Sequence, residues 1–184
     1  MTGQGQSGSA GREADVSWPV ALGVLIGLQA QIEEQDAEGL LTATIPREKA
    51  REAAIVAYEE RAGVPLPPDY RNFLLHANGW PGAYFTLDLF GLAELTGSGA
   101  ARRARELLEV YEDEEDLAES GLEAADLIPV AAGPGNDLVV IISNDRPGAG
   151  TVVWFDGGEF GRYRNFAAFF QNLTAATEGY TSQQ

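Results

Sequence analysis

The sequence has no cysteine, a single histidine and a single lysine in its 184 residues. Without cysteine, a disulfide framework, a thiolate metal site and a cysteine nucleophile are excluded, and the composition fits a reducing cytoplasm, where we expect the protein. One histidine also excludes a metal site built from several histidines. Because His76 lies beside an apolar helical stripe, we interpret it as a structural residue and not as a catalytic base.

A hydrophobic run long enough to cross a bilayer is also missing. The apolar stretch from Trp18 to Leu28 is too short. It lacks the positive segment that begins a secretion signal, because Arg12 is accompanied by Glu13 and Asp15. We therefore interpret it as an N-terminal core helix and expect no membrane partner.

Motifs for phosphate or metal binding are absent or weak. No glycine-rich loop ending in Lys-Ser or Lys-Thr occurs, and the glycines within residues 133–137 precede a strand, which predicts a turn. Asp88, Asp137 and Asp156 could form a carboxylate pair or a hard-cation site, but aspartates are common at strand ends and turns. We predict no metal and no cofactor, and a titration with divalent ions tests this enzymatic alternative.

The length suits one domain with a sizeable core. The opening residues are rich in Gly, Ser and Gln, so residues 1–16 are predicted to be a disordered tail. The predicted domain covers residues 17–178, and residues 179–184 form a short C-terminal tail. The sequence leaves monomer and dimer equally open.

Apolar periodicity predicts an α+β fold. Helices are expected near residues 18–34, 47–62, 68–77, 101–119 and 165–176. Strands are expected near residues 84–89, 127–131, 137–143 and 151–156. Because the late strands follow one another without helices between them, a mostly antiparallel or mixed sheet with helices packed against it is favoured over a doubly wound parallel sheet.

The composition is strongly acidic, with 28 Asp and Glu residues against 12 Lys and Arg and a net charge of −16. A surface of this sign repels phosphate, which argues against nucleic acid as a direct partner. Ten of the acids lie between residues 106 and 126, where no basic residue occurs. Without them, 18 acids would face 12 bases and the net charge would be −6, so this segment carries most of the charge.

The acidic segment is predicted to be a binding face for a positively charged protein. Arginines lie at the N-terminal end of the predicted helix and acids at its C-terminal end, the reverse of what the helix dipole favours. Like charges at i, i+4 add repulsion of roughly 0.2–0.5 kcal/mol per pair. The alternative is a solvated, partly frayed helix end without a partner. The candidate partner-binding residues in this segment are Glu109, Glu112, Asp113, Glu115, Asp116 and Glu119.

Two aromatic groups accompany the charge. Trp80 and Tyr84 follow an Asn-Gly turn, and we include both as candidate anchors for the partner, because exposed Trp and Tyr dominate interface hot spots. The alternative for these two residues is core packing. A second group is spaced i, i+3, i+4 and i+7, which predicts the apolar face of a terminal helix docked on the sheet. Its members are Phe166, Phe169, Phe170 and Leu173.

An ordered motif links two predicted helices between Glu59 and Gly79. The first helix stops at Gly63, a proline-rich connector prevents its resumption, and the second helix opens at Asp69 and ends at Asn78. The motif reads E-x-x-A-G-x-x-L-P-x-D-Y-x-x-F-L-x-x-x-N-G and resembles the core of the SUKH superfamily, the Smi/Knr-type proteins. Four later blocks resemble the C-terminal half of that family in the same order. They cover residues 127–131, 137–142, 150–156 and 165–170.

The resemblance implies a SUKH-like α+β fold and a function in protein binding without catalysis. Bacterial members of the family are largely immunity proteins that neutralise cognate polymorphic toxins, often nucleases or deaminases. The resemblance therefore implies that this chain neutralises a cognate basic toxin by electrostatic and steric blocking. Fungal relatives act as regulatory scaffolds, so a scaffold or peptide-binding module without a toxin partner is the alternative.

Overall fold

The computed structural model describes residues 16–97 and 99–182. The predicted N-terminal tail lies outside these residues apart from Val16, and so do the last two residues of the predicted C-terminal tail. The described helices are α1 (Trp18–Gln35), α2 (Glu52–Ala62), α3 (Pro68–Leu74), α4 (Leu92–Leu95), α5 (Ala101–Asp113), α6 (Asp116–Glu119) and α7 (Phe166–Thr181). The described strands are β1 (Trp80–Tyr84), β2 (Leu87–Leu89), β3 (Leu127–Ala132), β4 (Leu138–Ile142), β5 (Val152–Phe155) and β6 (Glu159–Tyr163).

The strands form one six-stranded meander in the order β1-β2-β3-β4-β5-β6, and every neighbouring pair is antiparallel. In β4, Val139 and Ile141 face one core, while Val140 and Ile142 face a second core on the other side. Every residue of β4 and β5 is buried, because helices cover both faces of the sheet. The predicted α+β class with an antiparallel sheet is confirmed.

Helices α1, α3 and α7 cover one face of the sheet, and α5 and α6 cover the other. The first core is rich in aromatic rings. Phe73 of α3 lies 5.0 Å from Phe166 of α7, measured between ring centroids, and Trp18 of α1 lies 5.4 Å from Phe73. The predicted apolar face of the terminal helix is confirmed, because its four members are fully buried: Phe166, Phe169, Phe170 and Leu173.

The prediction of one strand at residues 84–89 is wrong, because a hairpin occupies this stretch. Phe85 has a φ of 50°, in the left-handed region, and the chain reverses there between β1 and β2. Most of β1 was not predicted because it contains Pro81, and proline within a strand is tolerated mainly at edges and bulges. β1 is an edge strand with a register shift, which accommodates the proline.

Several element boundaries also differ from their predictions. α2 begins at Glu52, because residues 47–51 are not helical and Ala50 donates a backbone hydrogen bond to Leu74. α7 begins where predicted, with the side chain of Asn165 capping it, but it continues to Thr181, past the predicted domain end at 178. The short α4 and the edge strand β6 are not predicted at all. No residue of β6 is buried, so its sequence lacks an apolar pattern.

The Asn78-Gly79 turn of the motif packs directly on the loop after β2. A Cβ atom on Gly79 would lie 2.6 Å from the backbone nitrogen of Gly91, and one on Gly91 would lie 2.1 Å from the carbonyl oxygen of Asn78. The buried carboxylate of Glu94 accepts a hydrogen bond from the Gly91 N–H and pairs with Arg47, both at 2.9 Å. Glycine and one ion pair therefore fix the junction between the motif and the sheet.

Candidate functional site

Helix α5 presents an apolar face to the sheet and an acidic face to solvent. Ala104, Leu107 and Tyr111 are buried in the second core, against β3 and β4. Their spacing of three or four residues turns the intervening positions outward. We name six of the predicted site residues the acidic surface: Glu109, Glu112 and Asp113 lie on this outward side of α5, Glu115 follows the helix, and Asp116 and Glu119 lie in α6. Glu109, Glu112, Asp113, Glu115 and Glu119 are exposed, and Asp116 is half-buried.

The chain bends between α5 and α6 at Glu115, so the predicted single helix at 101–119 is wrong in this respect. Glu115 has a φ of 65°, which costs a residue with a Cβ atom on the order of 1–3 kcal/mol. The bend returns Leu117 to the core, where it is buried. The acidic segment is therefore helical on both sides of a strained residue.

The arginines of α5 do not neutralise the acidic surface. Arg102 lies 3.7 Å from Glu106, and Arg103 donates a 2.6 Å hydrogen bond to the carbonyl of Gly135. Within residues 16–97 and 99–182, no salt bridge joins a residue of the acidic surface to a basic side chain. Repulsion among these carboxylates is therefore not offset by ion pairing in the described residues, and a cationic partner would relieve it.

Tyr111 fixes the acidic surface to one end of the sheet. Its hydroxyl donates a 2.6 Å hydrogen bond to the carbonyl of Asn136, in the turn between β3 and β4. The same hydroxyl accepts a 2.9 Å hydrogen bond from the N–H of Gly157, in the turn between β5 and β6. Burial raises the pKa of Tyr111, and the charges of Asp156 and Asp116 raise it further. A phenol is protonated at neutral pH in any case, so the hydroxyl can donate to Asn136.

Trp80 is not available to a partner, which corrects the sequence expectation. Its side chain is 0% exposed, and its ring lies 6.4 Å from that of Phe170. The indole N–H donates a 2.9 Å hydrogen bond to the hydroxyl of Thr44. Trp80 belongs to the core, which is the alternative that the sequence left open.

Tyr84, the other predicted aromatic anchor, is partly exposed at the end of β1. Its ring packs edge to face against Trp154, with ring centroids 6.0 Å apart. Burial raises the pKa of Tyr84, and the nearby charge of Asp137 adds to this effect. Tyr84 therefore lies at the surface and close to a carboxylate.

The aspartates considered as a cation site make separate hydrogen bonds. Asp88 accepts one of 2.7 Å from the N–H of Gly82, and Asp137 accepts one of 2.8 Å from the indole of Trp154. In the part of the chain that the structure describes, no group of three or more Asp, Glu or His residues is arranged to hold a metal ion. Asp137 and Asp156 do line a common groove.

His76 is exposed, and its Nδ1 atom lies 2.9 Å from the carbonyl of Asn72. Because a carbonyl only accepts, Nδ1–H is the donor in this contact. The glycine-rich stretch before β4 is a turn, closed by a 3.0 Å hydrogen bond from the N–H of Gly133 to the carbonyl of Asp137. None of the described helices combines the length and the apolar composition that crossing a bilayer requires.

The structure is an α+β domain. The motif at residues 59–79 packs on an antiparallel meander, and helices cover both faces of the sheet. The chain belongs to the SMI1 / KNR4 family (SUKH-1), whose sequence model matches residues 49–172, more than half of the chain. This match confirms the family suggested by the motif, and it includes the whole acidic surface. No curated protein matches the chain.

Three aromatic residues near Tyr84 are missing from the predicted site. They are Phe85, Trp154 and Phe160, and the first and last of them are exposed. Sequence reasoning overlooked Phe160 because it did not predict β6. The Gly157-Gly158 pair after β5 is a hairpin signal, and it would have placed Phe160 on an edge strand.

Proposed function

We propose that this chain is an immunity protein that binds a basic protein toxin in the cytoplasm and neutralises it without catalysing a reaction. The expected toxin is a nuclease or a deaminase that uses cationic residues to hold nucleic acid. One observation carries the proposal: six carboxylates lie close together in the chain, and among the described residues no basic side chain pairs with them. Membership in the SMI1 / KNR4 family supports the same function.

The proposed mechanism has an electrostatic part and a steric part. The acidic surface meets the toxin's basic residues, and a net charge of −16 draws the toxin towards the complex. Such complementarity chiefly increases the association rate and the specificity. The body of the domain then covers the cationic surface, so nucleic acid cannot reach it.

The alternative function is a regulatory scaffold or peptide-binding module with a cellular partner. The family match favours it as much as it favours immunity, because the resemblance includes proteins of both kinds. Both functions use a charged binding surface and need no catalytic residue. They differ in whether the partner is toxic in the absence of this chain.

The test is co-expression of this chain with the product of an adjacent gene that is toxic on its own. If that product is the cognate toxin, the wild-type chain restores growth. In a purified assay, the chain abolishes cleavage or deamination of nucleic acid at a one-to-one ratio, because steric blocking requires one inhibitor per toxin. A complex that forms while the toxin keeps full activity contradicts neutralisation and favours the scaffold.

A variant with fewer charges tests whether the acidic surface is the interface with the toxin. Glu112→Gln, Asp113→Asn, Glu115→Gln and Asp116→Asn together remove four negative charges from the acidic surface. We expect this variant to fold and to need a higher concentration to neutralise the toxin. Unchanged neutralisation at low salt contradicts the placement on the acidic surface.

A further inference from the structure

A continuous row of aromatic rings crosses one end of the sheet, and we name it the aromatic strip. It consists of Tyr180, Phe85, Tyr84, Trp154 and Phe160, in that spatial order. Successive ring centroids lie 5.2, 4.8, 6.0 and 5.0 Å apart, and every contact is edge to face. Aromatic pairs of this geometry stabilise each other, so the strip is a preformed surface.

The topology of the sheet explains how these distant residues meet. In an antiparallel meander, alternate turns lie at the same end of the sheet. The β1–β2, β3–β4 and β5–β6 turns therefore share one end, and the end of α7 reaches it through the contact of Tyr180 with Phe85. The strip consequently draws on four strand or turn segments and one helix.

Stability alone does not explain the two exposed phenylalanines of the strip. Phe85 is 40% exposed and has a φ of 50°, a conformation that is rare for a bulky residue and that glycine or asparagine adopts more easily. Phe160 is 64% exposed on the edge strand β6. Exposed aromatic rings on a fixed scaffold are typical of binding surfaces, where they act as anchors.

Two carboxylates stand beside the strip. Asp137 is oriented by the 2.8 Å hydrogen bond from the indole N–H of Trp154, and Asp156 is exposed in the β5–β6 turn. Together with Tyr84, Trp154 and Phe160, they line a groove of about 330 Å³. No basic side chain lines this groove among the described residues, so its charge is negative.

We propose that this groove is the docking site for an arginine side chain of the protein partner, with an apolar neighbour of that arginine resting on Phe85. A guanidinium can stack on an aromatic face such as that of Phe160 and direct its N–H groups to Asp156. Arginine suits the groove better than lysine, because its planar group combines stacking with a fork of donors. This inference rests on the proposed function and specifies the chemistry of the partner.

The position of the groove favours a basic protein segment as its occupant. The β5–β6 turn carries both Asp156, which lines the groove, and Gly157, whose N–H binds the hydroxyl of Tyr111 on α5. The groove and the acidic surface are therefore joined through one hydrogen bond. The groove lies on the α7 side of the sheet and the acidic surface on the α5 side, so a basic partner that wraps around this end of the sheet contacts both. The acidic surface then raises the association rate and the aromatic strip slows dissociation.

The test is an NMR titration of the full chain with the capped tripeptide Arg-Phe-Arg at low salt. The reporter is the indole N–H of Trp154, which lies in the groove. The indoles of Trp18 and Trp80 are internal controls, because both are buried in the first core. We expect the Trp154 signal to shift and saturate at millimolar peptide, with binding weakened about fivefold or more when citrulline replaces both arginines.

Two outcomes would overturn the inference. One is an equal shift with the citrulline peptide, and the other is no shift of the Trp154 indole, as when shifts are confined to residues 109–119. The last outcome removes the groove but leaves the acidic surface of the proposed function in place. Conversely, toxin binding that does not depend on the acidic surface would contradict the proposed function without changing the peptide result. The failure of the groove and the failure of the proposed function are therefore distinguishable.

Variants locate the bound arginine. Phe160→Ala and Asp156→Asn should each weaken peptide binding by about three- to fivefold, because each removes one part of the proposed contact. The matched controls are Val110→Ala and Glu33→Gln, which truncate an exposed apolar residue and neutralise an exposed acid elsewhere. Equal effects of the variants and their controls would contradict the proposed contact, and unchanged amide spectra outside the groove verify folding.

Discussion

The hydroxyl of Tyr111 accepts a 2.9 Å hydrogen bond from the backbone N–H of Gly157 and so joins helix α5 to the turn between β5 and β6. The helix carries three of the six residues of the acidic surface, and the turn carries part of the groove beside the aromatic strip. The two surfaces therefore have a fixed relationship. This arrangement requires a neutral phenol, and burial raises the pKa of Tyr111 accordingly.

Tyr111→Phe tests this connection. It removes the hydroxyl that serves both Asn136 and Gly157, so we expect the free energy of unfolding to fall by about 1–3 kcal/mol. Urea denaturation measures the change. The control is Tyr180→Phe, because the Tyr180 ring contacts Phe85 while its hydroxyl has no hydrogen bond to any residue within 16–97 and 99–182. Equal losses in the two variants would contradict the connecting role of Tyr111.

Glu115→Gly tests whether the positive φ of Glu115, at the bend between α5 and α6, destabilises the folded chain. Glycine accepts a φ of 65° without strain, so we expect the variant to be more stable by about 1 kcal/mol. Thermal denaturation provides the measurement. Glu114→Gly makes the same charge change one residue earlier, where φ is −83°, and it should destabilise the protein. Stabilisation by both variants would mean that the removed charge, and not the backbone, is responsible.

Glu94→Gln tests the ion pair at the motif. The Glu94 side chain is 7% exposed and binds Arg47 and the Gly91 N–H, so its loss should cost about 1.5–3 kcal/mol at neutral pH. Burial alone would raise the pKa of Glu94, but the hydrogen bonds from Arg47 and Gly91 outweigh it, and the net pKa is lowered. Denaturation of both proteins over a range of pH checks the prediction.

The sign of this pH dependence follows from the lowered pKa. Glu94 is more acidic in the folded chain than in the unfolded chain, so its contribution to stability is complete above the unfolded pKa. The contribution is lost as the pH falls through the folded pKa. The stability difference between wild type and Glu94→Gln should therefore shrink on acidification. A difference that stays constant down to the acid transition would contradict the ion-pair account.

Asp113→Asn tests the repulsion within the acidic surface. Asp113 lies at the C-terminal end of α5, four residues after Glu109, so its charge is unfavourable to both the helix dipole and its neighbour. We expect the variant to be about 0.5–1 kcal/mol more stable at low salt, and the gain should disappear at high salt. Melting temperatures at several salt concentrations measure it.

Glu159→Gln is the matched control for Asp113→Asn. Glu159 is paired with Arg162 at 2.7 Å, and this contact lowers the pKa of Glu159. Removing its charge should therefore lower stability and not raise it. If both variants gain stability to the same extent, the effect reflects the net charge of the chain and not the acidic surface.

The sequence predicted those parts of the fold in which local pattern and tertiary environment agree. β3, β4 and β5 are continuous apolar runs, and α7 has a regular buried stripe, so both signals are strong. The hairpin at Phe85 was not predictable, because a bulky aromatic residue gives no indication of a φ of 50°. β6 is an exposed edge strand without an apolar pattern, and its pairing with β5 arises only in the sheet.

The positions of the acidic residues of the candidate site could be predicted from the sequence, but those of the aromatic residues could not. A run of acids is solvated almost wherever it lies, so the exposure of Glu112 and Asp113 follows from composition. The position of an aromatic side chain depends on the strand register, which the sequence did not reveal. Trp80 consequently proved to be a core residue, whereas Phe160, four residues after Asp156, lies at the surface.

The most direct test of the account is the association rate with the cognate toxin, measured by stopped flow over a range of salt concentrations. The variant carries Glu112→Gln, Asp113→Asn, Glu115→Gln and Asp116→Asn. Its control neutralises four exposed acids elsewhere, at Glu33, Glu34, Glu38 and Glu60, so the two proteins have the same net charge. The account predicts that only the first variant associates about tenfold more slowly at low salt and loses most of the salt dependence. Identical rates and salt dependences for the two proteins would contradict it.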